Sequence, residues 1–95
     1  MFIHAVLFQI KSRHVKIYKN DCRMWARYAR QAPGFLGYST LKRVDAKNQY
    51  ASVYQWKAKS CHKRFMDKWH EKLVAKSHCP VKVLGYYNFL AVQKG

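Results

Sequence analysis

Four stretches of this chain, Phe2–Ile10, Phe35–Leu41, Tyr50–Trp56 and Leu84–Gln93, contain none of its 19 Lys and Arg or its 4 Asp and Glu. Successive side chains of a strand point to opposite faces of the sheet. An antiparallel sheet with one wet face therefore shows polar residues at every second position. These stretches lack that pattern, so if they are strands, both faces of their sheet are covered. The remaining residues suffice for helices on one face only. The natural cover for the other face is a second copy of the same chain.

The 95 residues frame one domain, residues 1–95, of a size at which folding buries roughly 60–65% of the chain's surface. Hydrophobic residues make up 49% and aromatic residues 16%, enough for a core and against disorder. No run approaches the roughly 20 apolar residues of a membrane span. The opening MFIHAVLFQIKSRH lacks the basic lead and small-residue cleavage site of a secretory signal. Cys22, Cys61 and Cys79 form no C-x-x-C pair, which supports neither a disulfide framework nor a zinc site. Reduced thiols in the cytoplasm are the expectation.

Phe2–Ile10, rich in β-branched and aromatic residues, reads as a first strand. Ser12 is placed to cap a helix from about His14 to Gln31, in which Tyr18, Cys22, Trp25, Tyr28 and Ala29 recur at helical spacing. Pro33-Gly34 stops it. Phe35–Arg43 reads as a second strand, Val44–Asn48 as a hairpin turn, and Gln49–Trp56 as a third strand. Ser60 is placed to cap a second helix to about Lys76, with His62, Phe65, Met66, Trp69 and Leu73 on its apolar stripe. After Pro80, Val81–Gln93 reads as a fourth strand. The order βαββαβ is an α+β chain of the ferredoxin-like kind, an antiparallel four-stranded sheet with two helices on one face. Burial of the other face at an isologous dimer interface follows.

The run Pro33-Gly34-Phe35-Leu36-Gly37-Tyr38 resembles the PGFLGY signature of antibiotic-biosynthesis-monooxygenase-like proteins, and Tyr54-Gln55-Trp56 resembles the E-x-W ending of that family's third strand, with Gln55 in place of the acid. Element order and length match over nearly the whole chain. The resemblance implies a dimeric α/β barrel, two sheets face to face with helices outside, and a pocket in each protomer between sheet and helices. It also implies relatives that oxygenate polycyclic phenols and quinols without a cofactor, relatives that degrade heme, and small proteins of no known activity. The heme degraders' Asn, Trp and His would fall at Val6, Phe65 and near Ala75, which do not carry that chemistry, so no cofactor is expected.

Within that frame His4 is the candidate catalytic group. It sits among the bulky even-numbered residues Phe2, Val6, Phe8 and Ile10, which places its imidazole toward the helices. There it would act as a base near neutral pH, removing a phenolic proton before oxygen attack. A core histidine held by one hydrogen bond is the plainer reading. Trp25, Trp56 and Trp69 are candidates for an apolar wall around an aromatic ligand, with Tyr28 and Tyr54 supplying hydroxyls and His62 reaching in from the second helix. Aromatic residues at helical spacing are also what an ordinary core needs. His62, His70 and His78 stand eight residues apart and so advance about 80° around a helix each time. They do not converge, and no metal site is expected.

The formal net charge of +15 is the rival signal. Arg23 and Arg27 on the first helix, and Arg64 and Lys68 on the second, belong to basic stripes opposite the apolar ones. Such stripes attract polyanions without sequence choice, or are simply solvated. The third strand lacks the basic start and glycine of an RNA-recognition motif, so any nucleic-acid contact would be nonspecific and along the helices. Two functions remain open. One is a cofactor-independent monooxygenase-like protein acting on a small aromatic or quinol-type molecule. The other is a noncatalytic homodimer that binds an anionic partner through its basic helix faces.

Overall fold

The computed structural model describes residues 1–93 and 95. In chain order the elements are β1 (Phe2–Gln9), α1 (Val15–Ala29), β2 (Phe35–Lys42), β3 (Gln49–Trp56), α2 (Lys59–Lys76) and β4 (Lys82–Leu90). The strands form one sheet in the order β2-β3-β1-β4, and every neighbouring pair is antiparallel. This is the ferredoxin-like α+β arrangement, with both helices on one sheet face.

Element ends depart from the expected ones for local reasons. Ser12 does not cap α1; it opens a 3-10 turn, Ser12–His14, and His14 takes the N-cap position without a side-chain bond. Ser60 does not cap α2 either, because the helix begins at Lys59 after an extended Ala58. Strand β4 stops at Leu90 because its partner β1 runs out: Leu90 pairs with Phe2, and the Ala91 amide bonds the Met1 carbonyl as the last rung. The β2–β3 hairpin closes through Arg43 N–H to Gln49 O at 2.9 Å, with Asn48 supplying the positive φ of 59° in the turn.

Residue faces follow from register. The even residues of β1 point to the helices, and Phe2, His4, Val6 and Ile10 are all buried. Opposite them on β3 lie Ser52, Tyr54 and Trp56, also buried. The edge strands obey this alternation only by breaking it. Between Phe35 and Gly37 the β2–β3 register slips by one residue, and between Leu7 and Phe8 the β1–β4 register does the same. Leu36 and Leu84 are the extra residues, and each acts as a bulge. Phe35 and Tyr38, three apart, therefore share the helix face, as do Val83 and Tyr86. The other face carries Ile3, Ala5, Leu7, Val53, Tyr87 and Phe89 among its residues, and Lys82 at the end of β4 is the one charged side chain in register with it among the described residues. Tyr87 is 47% and Phe89 54% exposed there.

The helices meet the sheet in two clusters. Phe2, Ala29, Tyr54, Trp56, Phe65 and Leu73 form one, and Ile10, Tyr18 and Cys22 the other. Polar straps tie α1 to the end of α2. The Asp21 carboxylate accepts the backbone N–H groups of His78 and Cys79 at 3.0 and 2.8 Å, and Trp25 Nε1 donates to Ser77 Oγ at 2.9 Å. At the other end Gly34 adopts φ 81°, and a Cβ there would collide with the Cys61 side chain.

Two stability effects are expected. Gly34→Ala should cost about 2 kcal/mol or more, from left-handed backbone strain plus that collision. Asp21→Ala, which strips one exposed and one half-buried amide of a charged acceptor, should cost about 1 kcal/mol. Urea denaturation followed by circular dichroism measures both, and unchanged midpoints would contradict the geometry.

Candidate functional site

Between the helix face of β1, β3 and β4 and the two helices lies a cavity of about 300 Å³. It exists because β4 is only partly covered: α1 and α2 pack on β2, β3 and β1, and Tyr86 on β4 remains 65% exposed at the rim. Of the residues singled out in the sequence, His4, Trp25, Tyr54, Trp56 and His62 line this cavity. Tyr28 and Trp69 do not. They pack edge to face on each other at 4.8 Å, between α1 and α2. Helical spacing put them on the same stripes as Trp25 and His62, but the α1–α2 contact, not the sheet, takes them up.

The walls are mostly hydrocarbon, and the two imidazoles of His4 and His62 meet in one corner, while Asp21, His70 and Ser77 also line them. His4, only 8% exposed, places Nδ1 at 2.7 Å from Asn88 Oδ1 on the neighbouring strand. An amide oxygen only accepts, so the bond requires Nδ1–H, and in the neutral ring the lone pair is then on Nε2. The His62 ring lies 4.2 Å from that of His4, and the Tyr86 ring stacks from the other side at 6.4 Å. Burial pushes His62 down to about 4, and the neighbouring His4 adds to the shift. His62 is therefore a neutral imidazole at pH 7. Its Nδ1, and the Nε1 of Trp56 beneath it, are buried without a hydrogen-bond partner among the described residues. Such an unpaired atom costs about 1–3 kcal/mol.

The Tyr18 and Ser52 hydroxyls line the cavity and are joined, beyond its lining, to those of Tyr38 and Thr40. Thr40 Oγ1 donates to Tyr38 OH at 3.0 Å, Tyr38 OH donates to Ser52 Oγ at 3.0 Å, and Tyr18 OH lies 2.7 Å from the same oxygen. Burial raises Tyr18, Tyr38 and Tyr54 well above the ordinary phenol value. These groups stay protonated and serve as hydrogen-bonding hydroxyls. By contrast, the Lys76 ammonium donates to the Tyr28 hydroxyl at 2.8 Å and lowers it.

The cationic candidates do not form one patch. Arg23, Arg27, Arg64 and Lys68 are all exposed. Arg23 donates to Asn20 Oδ1 and faces a groove beside β2, whereas Lys68 and Lys72 lie 5.3 Å from the Trp69 ring. No cluster of three or more His, Cys, Asp or Glu suited to a metal ion occurs among the described residues. At the positions where heme degraders carry their functional groups, Val6 and Phe65 line the cavity with hydrocarbon and Ala75 is exposed outside it. The residues do not fit that chemistry. Asn88 and Tyr86, which frame His4, carry no signal in the sequence, since each is brought to His4 across 80 or more residues by the β1–β4 register.

No family model matches the sequence, and no curated protein matches it. Solved structures do match in shape. SnoaB from Streptomyces nogalater, a cofactor-independent oxygenase, superimposes with a TM-score of 0.77 at 15% identity, over 98% of this chain and 94% of that one. A mutant of MhuD, with two manganese protoporphyrin IX bound per active site, gives 0.80 at 15% identity, over 100% and 98%. An antibiotic biosynthesis monooxygenase gives 0.73 at 18% identity, over 98% and 100%. The fold is that of the antibiotic biosynthesis monooxygenases. At such identities the likeness speaks for the fold, and the chemistry has to be argued from the cavity.

The neutral His62 generates a pH dependence. Its folded value of about 4 lies below the ordinary 6.5 of an unfolded chain, so between the two the unfolded state holds more protons. Stability conferred by keeping His62 neutral is complete above roughly pH 6.5 and is lost as pH falls toward 4. His62→Gln should flatten that part of the stability–pH curve, and an NMR titration of His62 should show its midpoint near 4. A midpoint at the ordinary value would refute the buried, neutral ring.

Proposed function

We propose that this chain is a cofactor-independent monooxygenase-like protein that takes a small aromatic or quinol-type molecule into the cavity and uses His4 as its base. The observation that carries the reading is the pair of imidazoles, His4 and His62, ring against ring in a mostly apolar cavity. There Asn88 holds His4 with its Nε2 lone pair available, and His62 Nδ1 is buried without a partner. A planar ligand is accommodated against Trp25 and Tyr54. Its hydroxyl gives its proton to His4 Nε2, and His62, neutral at pH 7, pairs with a second ligand oxygen or hydroxyl. The resulting phenolate is electron-rich at the ring and supplies the electrons that reduce dioxygen from solution. One oxygen replaces two ring-carbon hydrogens as a carbonyl, oxidising a quinol-type CH2 to a quinone, and the other leaves as water. The oxygenase SnoaB, with the same fold, adds support to this class of reaction.

The same reading makes the working unit a homodimer. The sheet face opposite the helices carries Leu41, Tyr87 and Phe89, each about half exposed, and apolar surface of this kind favours burial against its own copy. Light scattering in high salt should give about twice 11.3 kDa. A monomer under those conditions would remove the dimer from the proposal.

Turnover is tested by oxygen uptake with a panel of polycyclic phenols and quinols in the presence of a chelator. His4→Ala should lower kcat by roughly 10²–10⁴-fold, the usual worth of a positioned base, while leaving ligand quenching of Trp25 fluorescence in place. Asn88→Ala should lower kcat less and shift its pH profile. Binding of no aromatic molecule, or full activity in His4→Ala, would overturn the proposal.

A further inference from the structure

A second concavity lies between α1 and the edge strand β2, sharing Cys22 with the lining of the central cavity. Lys19, Cys22, Arg23, Ala26 and Arg30 line it from the helix, and Tyr38 and Thr40 from the strand, around a volume of about 350 Å³. The spacing explains the shape. Residues 19, 23, 26 and 30 follow one another at three- and four-residue steps, so they share one face over about 16 Å of helix. Cys22 and Ala26 are small and buried, which leaves a trough beneath the longer side chains. We propose that this groove binds a small oxyanion of two or more charges, such as the diphosphate or phosphate-ester end of a metabolite.

Three cations face this groove and no carboxylate answers them. Among the described residues the two ion pairs are Arg43–Asp45 and Lys63–Asp67, both elsewhere. Asp21 is engaged by the amides of His78 and Cys79, and Glu71 is on α2. Arg23 bonds only the neutral Asn20 side chain. Three positive charges around one trough repel one another, and a multiply charged anion removes that repulsion as it binds. Arginine supplies paired donors suited to phosphate oxygens. Thr40 adds a hydroxyl whose hydrogen, now given to Tyr38, turns toward an anion by rotation about one bond. The groove selects a compact ligand, because the small floor residues and the Tyr38–Thr40 wall bound it on both sides. The exposed lysines around Trp69 on α2 offer no such enclosure.

The test is calorimetric titration with inorganic phosphate and with inorganic pyrophosphate at constant ionic strength, together with amide chemical shifts. One saturable site is expected, tighter for pyrophosphate, with shifts confined to α1 and β2. The double variant Lys19→Gln/Arg30→Gln should weaken binding about tenfold or more, whereas Arg27→Gln/Lys68→Gln, which removes the same charge outside the groove, should change it less than about twofold. If the double variant melts early, the single Arg30→Gln carries the comparison. Equal losses in both variants, unsaturable binding, or preference for a long single-stranded RNA with equal losses would overturn the site in favour of a diffuse positive field.

Discussion

Trp56 ends β3 at the point where four elements converge, and it is fully buried. Phe2 pairs with it from β1 and Phe35 from β2. Phe65 of α2 lies 5.3 Å away, ring to ring, and His62 6.1 Å away. Burying an indole of this size contributes on the order of 5 kcal/mol by area alone. The geometric consequence matters more. With the indole fixed between sheet and helix, α2 is anchored at its first two turns. The His62 ring is then held over His4, and the remaining gap beside β4 becomes the cavity.

That cavity works by contrast. Most of its wall is hydrocarbon, which excludes water and strengthens any electrostatic interaction within. Into this wall the β1–β4 register delivers a hydrogen-bonded imidazole, and α2 delivers a second one that burial keeps neutral. Keeping His62 neutral avoids a desolvated charge beside the His4 ring. Burial also leaves His62 Nδ1 without a partner among the described residues, a cost that persists in a folded protein where the group has a use or a missing partner. The neighbouring hydroxyls of Tyr18, Ser52 and Tyr38 show the opposite design, every one of them bonded.

Much of the fold was legible because its signals are periodic. The even positions of β1 are bulkier than the odd ones, and this alone put His4 on the correct side. The two helices and their loops followed from stripes and from Pro33-Gly34. What was not legible depends on contacts between distant residues. Trp25 and Trp69 look alike on a helical wheel, yet one faces the cavity and the other the helix–helix seam, which is decided by how α1 and α2 cross. Asn88 reads as one more polar residue until strand pairing sets it against a residue 84 positions away. Ser12 and Ser60 look like caps, but the chain enters both helices without them. The bulges at Leu36 and Leu84 each precede an isolated strand glycine, Gly37 and Gly85, a local signal that shows an irregularity but not which residue is the extra one. They explain why charge-free runs on the edge strands fail to alternate.

Those bulges bear on how the molecule meets its own kind. Both occur on rim strands, β2 and β4, whose outer backbone groups have no partner in the sheet. A rim that is straight invites another chain to add as a further strand, whereas a local extra residue twists the ladder out of line and discourages continuous pairing. Lys42 and Lys82, at the ends of the same two strands, add charge to each rim. With lateral growth opposed at both margins, the face away from the helices is the one open to the self-association proposed above, in which stacking of sheets would terminate at two where edge addition would run on without limit.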